Sequence, residues 1–240
     1  MKDRVVILTY GLSGSSVLAG LLTRAGYWPG EATYKKPDYD TFENVRLIEA
    51  NRNLIAAAHY QGDHEHEFSA EAVERIAALW SSIDRAPFER FVAECEQHHP
   101  WVWKDPRLWL TIRFWEHLLS VRDTAFLLLT RSTSQLWASC NLRRRIYSMS
   151  YIRRYHGQIE HCMREFLTSR RAPFAHVVFD ELIANPAAAL RPLNQLLGTS
   201  LTRDDLAAIY TEPLGRRSHG PLDFAKAALV HAKNYRERMG

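Results

Sequence analysis

The side chains and backbone best suited to binding an anion lie between Val5 and Leu22. The stretch opens with an apolar run of strand length, VVIL, and closes with leucines at helical spacing. The turn between them, GLSGSS, is formed by Gly11, Leu12, Ser13, Gly14, Ser15 and Ser16. A small-residue turn at a helix start can direct several N–H groups to one point, where the helix dipole also favours an oxyanion such as phosphate.

The loop lacks the two commonest nucleotide-binding patterns. The Walker pattern requires a lysine after its last glycine, but Ser15 follows Gly14. The dinucleotide pattern GxGxxG is also absent, because the glycines stand at positions 11, 14 and 20. An anion-binding loop and a tight turn without a ligand both remain open at this point.

Two further polar clusters follow apolar runs. Lys104–Arg107 comes directly after the run Trp101–Trp103, and Arg131 follows Ala125–Leu129 with one residue between them. Ser139 lies eight residues beyond Arg131, so a strand-end guanidinium and a hydroxyl on the next helix could hold one phosphate together. The alternatives are a surface arginine and a buried packing serine.

The segment KDPR has a second interpretation. Asp105 could cap the following helix and pair with Arg107, which would make the segment an ordinary strand-ending turn.

Short apolar runs alternate with helical patterns along the chain. The predicted strands are 5–8, 101–103, 125–129 and 177–179, a pattern typical of a parallel sheet covered by helices. Ligands of such sheets bind beyond the carboxyl ends of the strands. Residues 31–40 are predicted as a surface loop and 42–58 as a helix.

Composition limits the class of protein. The 240 residues are 46% apolar with a net charge of +4, which suits one α/β domain and decides little about partners. The three cysteines are far apart, which favours a reducing compartment, and no stretch approaches the ~20 apolar residues of a membrane span. We therefore expect a soluble cytoplasmic protein.

Two other charged stretches could suggest metal or nucleic-acid binding. His64 and His66 form an HxH pair, but their very polar surroundings favour a solvated loop, and no metal is expected. The run 143–145 is all arginine without a nucleic-acid motif beside it, so nucleic acid is not expected. We predict solvated side chains there, with one or two lining an anionic donor pocket.

Taken together, these pieces resemble the bacterial sulfotransferases that use 3′-phosphoadenosine 5′-phosphosulfate (PAPS). GLSGSS stands where bacterial members read close to RSGTS, and WVWKDPRL at 101–108 resembles their KDPR segment. RSTSQLWAS at 131–139 resembles the 3′-phosphate site of the family. VVFDELIANPAAALRPLNQLLG at 177–198 is similar to its closing unit.

The resemblance implies a three-layer P-loop-like α/β domain over residues 1–240, with a mostly parallel sheet of four to five strands and helices on both faces. It leaves the helical stretch 59–100 as an insertion that could cover the site. It implies sulfuryl transfer from PAPS to a hydroxyl or amine of a small-molecule or glycan acceptor, with 3′,5′-adenosine diphosphate as product. The loop 11–16, Arg131 and Ser139 would hold the donor.

The sequence departs from the family at Leu12, where members normally place a cation that stabilises the leaving group. Lys104 is the first candidate to replace it, and Arg107 is the second. The resemblance also implies an acidic base after the first helix, either Glu43 in FENVRLIEAN or Glu31, with Glu43 preferred. The basic segment around Arg216 and Arg217 could close on the 3′-phosphate.

Two other functions are weighed against this one. A small-molecule or nucleotide kinase of P-loop type is disfavoured because no lysine follows Gly14. A non-catalytic nucleotide-binding protein is made plausible by Leu12.

Overall fold

A four-stranded parallel sheet forms the centre of the molecule. The computed structural model describes residues 1–210 and 219–235. The sheet has the order β4-β1-β5-β6, with every neighbouring pair parallel. Its strands are β1 (Arg4–Leu8), β4 (Trp101–Lys104), β5 (Ala125–Thr130) and β6 (Phe174–Val178). The predicted α/β architecture is confirmed, although β6 begins three residues earlier than predicted and Phe179 already starts a helix.

Helices cover both faces of the sheet. Because successive strand residues point to opposite faces, Val6 and Leu8 enter one core while Val5 and Ile7 enter the other. The second core is covered by α1 (Ser15–Arg24), α8 (Phe179–Ala184), α9 (Pro186–Leu197) and α10 (Arg203–Ile209). Burial on both faces explains why these strands are apolar at nearly every position.

The first core lies under six helices. They are α2 (Val45–Ala57), α3 (Ala70–Ala78), α4 (Ala86–Cys95), α5 (Leu108–Trp115), α6 (Thr133–Leu142) and α7 (Met149–Ser169). A short 3₁₀ turn, Leu79–Ser81, follows α3, and α11 (Pro221–Asn234) packs on α6. Within the described part of the chain, none of these helices combines the length and the apolar character needed to cross a bilayer.

The stretch 59–100 shares the first core. Ser69 caps α3 by accepting a hydrogen bond from the Ala72 amide. Phe88 and Phe91 of α4 pack edge-on against Trp115, with ring centroids 5.6 and 5.8 Å apart. These helices therefore stabilise the same core as the sheet, and their description as an insertion stays a prediction.

A β-hairpin replaces the predicted surface loop. Strands β2 (Thr33–Lys36) and β3 (Tyr39–Asn44) pair antiparallel, and α2 begins at Val45 rather than at Phe42. The helix begins there because the Asn44 side chain accepts a hydrogen bond from the Arg46 amide at 2.9 Å. Most of β2 is exposed, so it lacks the apolar alternation that would have revealed it.

His156 on α7 is buried without a hydrogen-bond partner for either ring nitrogen among the described residues. Its ring lies 4.0 Å from that of Tyr10, centroid to centroid, and burial lowers its pKa to about 3. The pKa of a histidine in the unfolded chain is about 6.5, and folding lowers the pKa of His156. The native state therefore loses stability as the pH drops below about 6.5, because the unfolded state binds the proton more readily.

We expect His156→Phe to flatten the acid dependence of stability. Between pH 7 and pH 5 the wild type should lose about 2 kcal/mol more unfolding free energy than the variant, at 1.36 kcal/mol per pKa unit. Urea denaturation at the two pH values measures this difference. Equal losses in both proteins would show that His156 does not carry the effect.

Candidate functional site

The loop between β1 and α1 is held by hydrogen bonds to the neighbouring strand. The Thr9 hydroxyl lies 2.5 Å from the Ser13 hydroxyl and donates to the Leu129 carbonyl at 3.0 Å. Gly14 adopts a left-handed conformation, with φ at 86°, and no side chain caps the start of α1. Of the first-turn N–H groups, that of Val17 donates to the Gly14 carbonyl at 3.0 Å, whereas those of Ser15 and Ser16 have no partner among the described residues and remain available to a ligand at the positive end of the helix dipole.

We expect Gly14→Ala to destabilise the protein by about 2–5 kcal/mol, since it adds left-handed strain and overpacking. A methyl group at this position would overlap the ring of Phe179. Gly26→Ala is the matched control, because Gly26 also has a positive φ, 97°, but has no atom within 4 Å of the added methyl group. Urea denaturation compares the two variants, and equal losses would show that the Phe179 contact does not matter.

A cavity of about 370 Å³ opens above this loop. Its floor is the loop itself, and Lys104 and Glu43 lie on its wall. The remaining lining comes from Val17, Lys36, Tyr39, Thr41, Glu65, Pro106, Arg143 and Arg145. The structure thus brings all six predicted loop residues, the preferred cation and the preferred carboxylate to one cavity.

Lys104 connects the loop with the hairpin. Its side chain is only 3% exposed and its ammonium forms an ion pair with Glu43. The same ammonium lies 3.5 Å from the Ser16 hydroxyl and donates to the Thr41 carbonyl at 3.3 Å. A positive charge therefore stands at the start of α1, where Leu12 itself supplies none and instead packs against the core.

Arg131 and Ser139 lie against the loop, on its buried side. The Arg131 guanidinium, 1% exposed, donates to the Leu12 carbonyl at 3.2 Å and lies 3.4 Å from the Ser139 hydroxyl. Burial lowers the pKa of Arg131, and the nearby Asp180 carboxylate, 3.5 Å away, opposes this shift. The two residues are neighbours, as their spacing predicts, but neither lines the cavity.

His219 reaches the same place from the C-terminal part of the chain. Its Nε2 lies 2.7 Å from the Ser139 hydroxyl, and its backbone exchanges two hydrogen bonds with the Gln135 side chain. Arg216 and Arg217, predicted to close over this region, lie outside the described residues.

Two other predicted residues lie away from the cavity. Arg107 donates to the buried carboxylate of Asp105 at 2.9 Å, the pairing that the sequence left open, and lines a neighbouring cavity. Asp105 does not cap α5, because the N-cap position is Arg107 and it makes no side-chain cap hydrogen bond. Glu31 is exposed ahead of β2 and lines neither cavity.

Several cavity residues were not identified from the sequence. Lys36, Tyr39 and Thr41 belong to the hairpin, which was assigned as a surface loop. The pair Pro37-Asp38 is a turn signal that could have revealed it. Arg143 and Arg145 do line the cavity, as predicted for one or two arginines of that run.

The polar loop around His66 is less exposed and makes more contacts than a solvated loop would. His66 is buried, and Asp63, Glu65 and His66 bring their ligand atoms within 4.8 Å of one another. The Arg145 guanidinium already lies 2.5 Å from the Glu65 carboxylate and 3.1 Å from His66 Nε2. Burial alone raises the pKa of Glu65, but Arg145 outweighs it and lowers that pKa overall. Arg145 thus supplies the positive charge of this cluster.

Solved structures share this architecture. The sulfotransferase domain of the olefin synthase of Synechococcus PCC 7002 aligns with a TM-score of 0.53 and 16% identity, covering 97% of this chain and 96% of that one. The chain has the sulfotransferase fold. A sulfotransferase domain of the curacin biosynthetic pathway aligns over 94% of this chain and 83% of its own, with 14% identity and a TM-score of 0.48.

A sulfotransferase of Mycobacterium avium aligns over 97% of this chain and 76% of its own, with 13% identity and a TM-score of 0.44. No protein-family model matches the sequence, and no curated protein matches it.

Proposed function

We propose that this protein is a sulfotransferase that moves the sulfuryl group of PAPS to a hydroxyl or amine of a small-molecule or glycan acceptor. The observation that carries the proposal is the position of Lys104. Its ammonium contacts both the start of α1 and the carboxylate of Glu43 within one cavity. Sulfuryl transfer, like phosphoryl transfer, depends mainly on positioning and on stabilising the charge that develops.

The positive groups around the loop suit the negatively charged donor, PAPS. The free N–H groups at the start of α1 and the hydroxyl of Ser16 suit the 5′-phosphosulfate, and Arg143 and Arg145 add positive charge to the same cavity. Arg131 and Ser139 are assigned to the 3′-phosphate, since a guanidinium and a hydroxyl 3.4 Å apart can share one phosphate. Because both are buried beneath the loop, we infer that His219 moves away from Ser139 when the nucleotide enters.

Glu43 and Lys104 have separate roles in the proposed reaction. As the acceptor oxygen bonds to sulfur, Glu43 takes its proton. The bond between sulfur and the bridging oxygen breaks, and that oxygen keeps the electron pair on the departing 3′,5′-adenosine diphosphate. Lys104 stabilises this negative charge, which is the role that Leu12 cannot fill. Arg107 is held by Asp105 and lines the neighbouring cavity, so we do not assign it to the leaving group.

We place this activity in the cytoplasm, because Cys95, Cys140 and Cys162 are buried and free of disulfide bonds.

Isothermal titration with 3′,5′-adenosine diphosphate tests the nucleotide assignment. We expect micromolar binding without Mg²⁺, weakened about 10–100-fold in Arg131→Ala, because a charge-assisted contact to the 3′-phosphate is lost. Adenosine 5′-monophosphate, which lacks that phosphate, should bind both proteins equally.

Other results would select the competing functions. Tight binding of ATP that requires Mg²⁺ would favour the kinase. Tight nucleotide binding without transfer to any acceptor of a broad panel would favour a non-catalytic nucleotide-binding protein, as Leu12 allows.

A further inference from the structure

A second cavity of about 350 Å³ adjoins the first. The two share Lys36, Glu43, Glu65 and Pro106 as lining residues. An acceptor placed in the second cavity would therefore have its reacting end at Glu43.

One face of α2 forms a wall of this second cavity. Val45, Ile48, Glu49 and Arg52 line it, and their spacing of i, i+3, i+4 and i+7 is that of a single helix face. The seven steps along the helix from Val45 to Arg52 span about 10 Å at 1.5 Å per residue. The cavity is therefore elongated, with Glu43 near one end and Arg52 at the other.

Most charges on this cavity already have partners. Glu43 pairs with Lys104, Glu65 with Arg145, and Arg107 with Asp105.

Arg52 and Glu49 differ from these pairs, because both are exposed and neither side chain makes a hydrogen bond or an ion pair with any residue in 1–210 or 219–235. The Lys36 ammonium lies only over the Tyr39 ring, 5.6 Å from its centroid. Two cations and one carboxylate are thus available to a ligand.

We propose that the acceptor is an elongated alcohol with an anionic group, such as a carboxylate, about 10 Å from its reacting hydroxyl. The proposal rests on the sulfotransferase function, which places the hydroxyl at Glu43. The chain of the acceptor lies on Val45 and Ile48, and its anion binds the Arg52 guanidinium. Glu49, one turn before Arg52, repels an anion held closer to Glu43 and so fixes the length of the acceptor.

Binding of model alcohols to the protein saturated with 3′,5′-adenosine diphosphate tests this proposal. The probes are 8-hydroxyoctanoate, the neutral octane-1,8-diol, and 4-hydroxybutanoate, which is too short to reach Arg52. We expect the first to bind at least about tenfold more tightly than the other two, the effect of one charge-assisted contact. Arg52→Gln should remove this preference, whereas Arg90→Gln, which neutralises an exposed arginine of α4, should retain it.

The proposal is overturned if the wild type does not distinguish the hydroxy acid from the diol, if it binds neither, or if Arg52→Gln binds the hydroxy acid as well as the wild type does. The titration with 3′,5′-adenosine diphosphate that precedes these measurements tests the proposed function independently. Normal nucleotide affinity with no discrimination among alcohols would reject the acceptor class alone.

Discussion

Replacing Lys104 with methionine is expected to lower kcat by about 10²–10³, the usual cost of removing one group that stabilises transition-state charge. Methionine keeps most of the volume of the buried side chain and removes its charge, together with the ion pair to Glu43 and the hydrogen bond to the Thr41 carbonyl. The affinity for 3′,5′-adenosine diphosphate should change by less than about threefold, since this role is filled mainly in the transition state. Initial rates of 3′,5′-adenosine diphosphate release from PAPS, with an acceptor that the wild type uses, measure the effect.

Lys35→Met provides the control, because Lys35 is an exposed lysine of the neighbouring hairpin and lines neither cavity. It should retain the wild-type rate. If Lys104→Met kept kcat within about tenfold of the wild type, a group other than Lys104 would have to stabilise the leaving oxygen.

Replacing Glu43 with glutamine is expected to lower kcat by about 10²–10⁴, the range for a positioned general base. The amide oxygen of glutamine can still accept a hydrogen bond from Lys104, so the geometry of the cavity should persist while the base is lost. Nucleotide affinity should therefore remain close to that of the wild type. The same rate assay, together with the nucleotide titration, measures both quantities.

Glu31→Gln is the control for this experiment. Glu31 is exposed and lines neither cavity, so its replacement should leave the rate unchanged. The reverse result, an active Glu43 variant and an inactive Glu31 variant, would move the base to Glu31. That result would also require the hairpin to change position during the reaction.

The position of Lys104 could be predicted from the sequence because of a simple property of parallel sheets. The apolar runs before Gly11 and before Lys104 are both strands, and their carboxyl ends meet at one edge of the sheet. In the observed register Ile7 pairs with Lys104, which brings the lysine beside the loop. The fold class and the position of Lys104 beside the loop could therefore be inferred without coordinates.

The choice between the two glutamates could not be made in this way. Both follow α1 at short distance, and the exposed strand β2 carries no apolar pattern to reveal the hairpin. The hairpin turns Glu43 towards Lys104 and leaves Glu31 in solvent. The position of Arg107 could not be predicted from the sequence either. Its partner Asp105 accepts a buried hydrogen bond from Asn51, which lies 54 residues away in the chain.

The sequence by itself determined the four strands of the parallel sheet, the loop between β1 and α1 and the proximity of Arg131 to Ser139, because these follow from local periodicity and spacing. Only the tertiary structure decided which carboxylate faces Lys104, that Arg131 lies beneath the loop, and that a second cavity runs along α2. The physical reason is that burial and ion pairing depend on contacts between residues far apart in the chain, and local patterns do not encode them.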